Sequence, residues 1–102
     1  MEMAKNYQTI VDEILEHLAK SGKRYYSDFY IGITNDVRRR LFSEHNVSEE
    51  NNWWIYRTAI NAAEARRVEK HFLELGMRGD KGGGDETSNI VYCYAVAPTT
   101  VE

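Results

Sequence analysis

The chain has 102 residues, a formal net charge of -3 and 28 % charged residues. This length fits one small domain, and the ordinary composition argues against a disordered chain. Because no apolar run reaches membrane-spanning length and no secretory signal opens the chain, we expect a cytoplasmic protein without membrane contact. Cys93 is the single cysteine, so it cannot form an internal disulfide, which agrees with a reducing compartment.

The first two elements follow from the spacing of apolar residues. Helical spacing predicts a helix from Tyr7 to Leu18. Alternation then predicts a strand from Tyr25 to Thr34, in which Tyr30 and Gly32 lie on the face opposite to the apolar side chains.

The later elements are predicted in the same way, with Asn35 or Asp36 as the cap of a short helix. They are a short helix from Val37 to His45, a strand from Trp53 to Ala59, a helix between the cap Asn61 and the stop Gly76, a glycine-rich loop from Gly79 to Ser88 and a strand from Ile90 to Val96. The loop is not a phosphate-binding P-loop, because its lysine precedes the glycines.

Glu69 is the polar residue that fits its surroundings least. On the predicted helix it lies in an apolar arc that includes Ala65 and Phe72. A carboxylate in such an arc is costly unless it is paired or binds a metal ion. Two interpretations stay open: a ligand of a cation, or a side chain that reaches solvent near Arg66.

Arg40 and Tyr30 also have two interpretations each. Arg40 shares a helix face with Val37 and Glu44, so it is either a solvated arginine or a phosphate ligand whose planar fork holds two oxygens. Tyr30 is either a packing residue or part of a site. Gly32 lies on the same strand face and leaves room for a ligand or for a neighbouring group.

The basic residues are grouped along the chain despite the acidic balance. The groups are Lys23-Arg24, Arg38 to Arg40, Arg66-Arg67 with Lys70, and Arg78 with Lys81. They predict a moderate basic face, and strong sequence-independent binding of nucleic acid is not expected.

Two motifs resemble a known family. The tripeptide Tyr30-Ile31-Gly32 runs into Thr34-Asn35-Asp36, and Arg40 follows Gly32 by eight residues. The run from Ala65 to Glu69 has the form Ala-x-x-apolar-Glu. From about Tyr25 to Val96 the chain therefore resembles the GIY-YIG nuclease superfamily.

The sequence departs from that pattern in three places. The first tripeptide, Gly-Ile-Tyr, is absent, and Tyr25 or Tyr26 is the candidate substitute. The N-terminal helix is an addition. Glu44 stands where the family often has His or Tyr, and His45 follows one residue later.

The resemblance implies an α+β fold with a small, mostly antiparallel three-stranded sheet flanked by helices. Residues 1–22 would form an added N-terminal helical extension and residues 23–97 the core, within one domain of residues 1–102. The implied activity is metal-dependent endonuclease cleavage of phosphodiester bonds, with DNA favoured over RNA.

The resemblance also assigns roles to individual residues. Glu69 would bind Mg²⁺ or Mn²⁺, Arg40 would hold the scissile phosphate, and Tyr30 would act on the attacking water, with Tyr26 or His45 as further catalytic candidates. The implied substrate-binding residues are Gly32, Arg38, Arg39, Arg66 and Asn89.

The alternative hypothesis is a catalytically inactive module with this fold. It would bind nucleic acid through its arginines, or a protein partner through Trp53, Trp54 and Tyr56. A homodimer through the Trp53 face is a third possibility. Adjacent strand residues point to opposite faces, so at most one of the two tryptophans is expected in the core, and an exposed one suits base stacking.

Overall fold

The computed structural model describes residues 3–80 and 85–102. Residues 81–84, which belong to the predicted glycine-rich loop, lie outside the described residues. The described elements are helix α1 (Tyr7–Ala19), a 3-10 turn (Tyr26–Asp28), strand β1 (Phe29–Thr34), a π-helix (Arg39–Glu44), strand β2 (Trp54–Thr58), helix α2 (Ala62–Leu75) and strand β3 (Ile90–Ala95). The fold is α+β, as predicted.

The three strands form one antiparallel sheet in the order β1-β3-β2. Because β3 is central, it places Tyr92 beside Gly32 of β1 on one side and beside Tyr56 of β2 on the other. Alternating side chains divide the sheet into two buried faces. The helix-side face packs on α1 and α2, and the tyrosine face carries Tyr30, Tyr92 and Tyr94.

Helix α1 is an integral part of the helix-side core. Asn6 caps it by accepting a hydrogen bond from the Thr9 backbone N–H at 2.9 Å. Ile10, Val11 and Ile14 are buried in the same cluster as the α2 side chains. The predicted N-terminal extension therefore supplies apolar surface that the rest of the fold needs.

Helix α2 begins and ends where its sequence predicts. The Asn61 side chain accepts from the Glu64 backbone N–H at 2.9 Å. Gly76 ends the helix with φ +114, a left-handed conformation that glycine adopts without strain. Local sequence fixes both ends of the helix that carries Glu69.

Two predicted elements differ from the observed ones. The first strand was expected from Tyr25, but β1 begins at Phe29 because the Asp28 carboxylate accepts from the Tyr25 backbone N–H at 3.2 Å and closes a tight turn. The short helix expected from Val37 to His45 becomes a π-helix from Arg39. The π-helix changes which side chains come into contact.

None of the helices in the described ranges is long and apolar enough to cross a bilayer.

Gly32 tests the packing of the tyrosine face. A Cβ at this position would lie 2.4 Å from both Cζ and the hydroxyl oxygen of Tyr92. Gly32→Ala should therefore lower the free energy of unfolding by about 2 kcal/mol or more in urea denaturation. In a Tyr92→Leu background, which removes the clashing atoms, the same substitution should cost much less. Equal costs in both backgrounds would contradict this packing.

Candidate functional site

The π-helix brings Arg40 and His45 onto one face. Asp36 starts the segment by accepting from the Arg39 backbone N–H at 3.2 Å. The His45 backbone N–H then donates to the Arg40 carbonyl at 2.8 Å, five residues back. An α-helical turn would align Arg40 with Glu44, whereas the wider turn also aligns it with His45.

Both side chains meet at the hydroxyl of Tyr92. Arg40 Nη2 donates to this oxygen at 3.2 Å, and the hydroxyl lies 2.9 Å from His45 Nε2. His45 Nδ1 lies 2.6 Å from the Val101 carbonyl oxygen. One arrangement of protons gives each of these groups a suitable partner. His45 Nδ1 donates to the Val101 carbonyl, and His45 Nε2 accepts from the Tyr92 hydroxyl, which itself accepts from Arg40.

His45 is neutral in this arrangement. It is 1 % exposed, and burial lowers the pKa of its imidazole, with the Arg40 charge acting in the same direction. A neutral imidazole whose Nε2 accepts a hydrogen bond is able to take a proton from Tyr92. The network therefore joins a cation to a proton acceptor through one hydroxyl.

Tyr30 lies in the same aromatic cluster. Its ring centroid is 5.2 Å from that of Tyr94 and 4.7 Å from that of His45. Burial raises the pKa of the Tyr30 hydroxyl, although the Arg40 charge opposes the rise. Burial raises the pKa of Tyr92 as well. Both hydroxyls therefore stay protonated at neutral pH, which does not suit a tyrosinate base.

The space over Gly32 is filled by the Tyr92 side chain. Of the two possibilities that the sequence left open, the neighbouring group and not a ligand occupies this space. Gly32 thus lets Tyr92 cross the strand and reach Arg40.

Glu69 is buried and does not reach solvent. It is 3 % exposed, and its nearest described cation is Arg66, with 3.9 Å between Oε1 and Nη1. Burial raises the pKa of the Glu69 carboxyl to about 7, while Arg66 acts to lower it and Asp80 to raise it. Beside it lies a pocket of about 310 Å³, lined by Arg66, Glu69, Lys70, Leu73 and Glu74.

The residues around Glu69 fit a cation that is held by one carboxylate. In residues 3–80 and 85–102, no three His, Cys, Asp or Glu side chains lie close enough to share a metal ion. Mg²⁺ is commonly held by one or two carboxylates, with water and substrate phosphate as its other ligands. The single buried Glu69 carboxylate, whose nearest described cation lies 3.9 Å away, suits that mode of binding.

The predicted basic face is largely paired with acidic side chains. Glu44 contacts both Arg40, at 2.5 Å, and Arg39, at 3.0 Å. Arg38 contacts Glu49 at 2.6 Å. These pairs are partly exposed, so a phosphate that reaches Arg40 must compete with Glu44.

Two of the candidate residues lie apart from this cluster. Tyr26 packs against the helix-side core, whereas Tyr30 belongs to the tyrosine face. Asn89 precedes β3, and its carbonyl accepts from the Ala59 backbone N–H at 2.7 Å, at the end of the sheet.

Tyr92 is the residue of this cluster that sequence reasoning missed. It lies in the predicted strand from Ile90 to Val96, and alternation within that strand puts Tyr92 and Tyr94 on one face. Alternation could have singled them out, but only the antiparallel pairing of β3 with β1 brings Tyr92 to Gly32.

Comparison of the chain with protein-family models, with curated proteins and with solved structures finds no match.

The raised pKa of Glu69 predicts a specific dependence of stability on pH. Because the folded state binds this proton more tightly than the unfolded state, the contribution of Glu69 to wild-type stability should fall as pH rises from about 4.5 to 7. Glu69→Gln removes this effect, so the variant should be close to wild type at pH 4.5 and more stable by about 2–3 kcal/mol at pH 8.

Urea denaturation across this pH range measures the difference. The control is Glu74→Gln on the same helix, where the side chain is 68 % exposed. If the free energy of unfolding depends on pH in the same way for wild type and Glu69→Gln, the Glu69 carboxyl does not have the raised pKa described here.

Proposed function

We propose that this chain is a metal-dependent endonuclease that hydrolyses phosphodiester bonds of nucleic acid. One observation carries the proposal: Arg40 donates to the Tyr92 hydroxyl at 3.2 Å, and the buried Glu69 carboxylate of α2 acts electrostatically on Tyr92 and on Tyr30. A phosphate ligand, a metal-binding carboxylate and a tyrosine are the groups to which the GIY-YIG resemblance gives roles.

Arg40 is the proposed phosphate ligand. Its side chain is 30 % exposed, and its Nη2 is held by the Tyr92 hydroxyl. A held guanidinium loses less side-chain entropy when it binds a phosphate with its planar fork. The phosphate would displace Glu44 from Nη1.

Glu69 is the proposed ligand of Mg²⁺ or Mn²⁺. When bound, a divalent cation stabilises the negative charge that develops on the leaving oxygen. The protein's contribution is a buried carboxylate, whose charge is poorly compensated by Arg66 at 3.9 Å. A nearby cation would favour the charged form of this carboxylate.

His45 is a better proton acceptor for this site than Tyr30. Its imidazole is neutral, and Nε2 already accepts from Tyr92, whereas the Tyr30 hydroxyl has a raised pKa. We therefore assign the acceptor role to His45: as the Tyr92 hydroxyl takes the proton of the attacking water, it passes its own proton to Nε2, and no tyrosinate forms. Tyr30 has a packing role.

The second candidate function is a binding module without catalysis. Glu44 pairs with both Arg39 and Arg40, and Tyr30, Tyr92 and Tyr94 are buried. Those observations favour a domain in which the cluster of tyrosines around Arg40 and His45 stabilises the fold and takes no part in catalysis. Such a module would still bind nucleic acid or a protein partner.

Cleavage assays separate the two functions. With duplex, branched and single-stranded DNA and RNA in Mg²⁺ or Mn²⁺, wild type should cleave at least one class. Glu69→Gln and Arg40→Ala should each reduce the rate by roughly a hundredfold or more, since each removes stabilisation of transition-state charge. Glu16→Gln, at a carboxylate that is 74 % exposed on α1, and Arg24→Ala are matched surface controls. Equal inactivity of folded wild type and of both site variants would favour the binding module.

Competition by Glu44 predicts that its removal strengthens binding. In EDTA, Glu44→Gln should bind a labelled oligonucleotide about two- to fivefold more tightly than wild type, because Arg40 is no longer paired. Glu16→Gln removes the same charge on α1, where the carboxylate lies 4.0 Å from Lys20. An equal gain in both variants would indicate net charge alone and contradict competition at Arg40.

A further inference from the structure

Two aromatic side chains of β2 continue the tyrosine face toward the edge of the sheet. The strand register aligns Trp54 with Tyr94, and Tyr56 with Tyr92. Tyr92 and Tyr94 are fully buried, whereas Trp54 and Tyr56 are only half-buried. In each of these pairs the half-buried ring lies on β2, one strand away from the strand whose Tyr92 hydroxyl holds Arg40.

The half-buried rings of Trp54 and Tyr56 are held in place by their neighbours. The Trp54 and Tyr56 ring planes differ by 7°, with centroids 6.2 Å apart. Trp54 Nε1 donates to the Glu49 carbonyl at 3.1 Å, and the Phe42 ring meets Trp54 edge-on at 5.2 Å. Fixed aromatic faces lose little entropy when another ring stacks on them.

A pocket of about 290 Å³ lies along the outer edge of β2, lined by His17, Trp54, Ile55, Tyr56 and Arg57. This volume is close to the lower end of those that hold small ligands. Trp53 and Ala59 form backbone hydrogen bonds on the β3 side, so by alternation the backbone groups of Trp54 and Tyr56 point to the outer edge. There the Tyr56 carbonyl accepts from Arg57 Nη1 at 2.7 Å. The pocket thus combines aromatic rings with backbone polar groups.

The charge distribution favours bases over backbone phosphates as the source of affinity. The net charge is -3, and Arg38, Arg39 and Arg40 each contact a glutamate. Binding to a duplex depends mainly on phosphate contacts, which are weak on such a surface. Stacking needs no net charge, but it needs bases that are unpaired.

We infer that Trp54 and Tyr56 form a stacking surface for unpaired bases, so that the strand bound at Arg40 is single-stranded. The inference rests on the proposed function and names its substrate class. Trp54, on the tyrosine face, performs the stacking, whereas Trp53 packs against Phe29 and His17 in the helix-side core.

The test measures binding without cleavage. In EDTA at low salt, fluorescence anisotropy compares a short oligodeoxythymidylate, a strand of equal length made of abasic residues, and a duplex. Wild type should bind the oligodeoxythymidylate about tenfold or more tightly than either of the other two. Trp54→Leu and Tyr56→Leu should each remove most of that preference. Tyr25→Leu, at a tyrosine that is 66 % exposed elsewhere, should leave it unchanged.

Equal affinity for the abasic strand, or equal loss in Tyr25→Leu, would overturn the inference. If Trp54→Leu fails to fold by circular dichroism, Tyr56→Leu and Trp54→Phe carry the test. A self-association that Tyr56→Leu abolishes without changing oligonucleotide binding would assign the surface to a second copy of the chain, and would also overturn it. Because EDTA prevents metal-dependent cleavage, retained base preference in a protein that never cleaves would sink the nuclease proposal alone.

Discussion

The hydroxyl of Tyr92 is the group on which the arrangement of the site depends. It lies 3.2 Å from Arg40 Nη2 and 2.9 Å from His45 Nε2, and Gly32 makes room for its ring. Four separate features have to agree for this contact to form: the central position of β3, the π-helix, the missing side chain at Gly32 and the Val101 carbonyl that orients His45. A buried hydroxyl with both a donor and an acceptor in place is stable, whereas one without partners is costly.

Glu69 is the opposite case, a buried carboxylate whose nearest cation among the described residues, Arg66, lies 3.9 Å away. The apolar side chains around it belong to the core that α2 shares with α1 and the sheet. Proteins retain such unfavourable groups mainly at functional sites, where a ligand later compensates the charge. The raised pKa of Glu69 and the satisfied network at Tyr92 therefore point to different roles, one for binding a cation and one for holding Arg40.

The local parts of this fold could be predicted from the sequence, and the parts that depend on pairing could not. Helix α2 followed from its apolar spacing and from Asn61 and Gly76, because caps act within a few residues. The same spacing put Glu69 in an apolar arc but left open whether its side chain reaches solvent, and the structure buries it. Tyr92 was missed because strand order is set by long-range packing, and a residue pattern alone does not give it. The meeting of Arg40 and His45 at the Tyr92 hydroxyl depends on a π-helix that no local signal announced.

The central claim is that Arg40 and Glu69 serve one site. The most direct test is an NMR titration of isotope-labelled protein with Mn²⁺ and a non-cleavable thymidine dinucleotide. The account predicts that paramagnetic broadening reaches the Arg40 side chain and the Glu69 backbone together, and that Glu69→Gln abolishes both effects. Broadening centred on another acidic group, such as Glu13 and Glu16, or broadening that persists in Glu69→Gln, would contradict it.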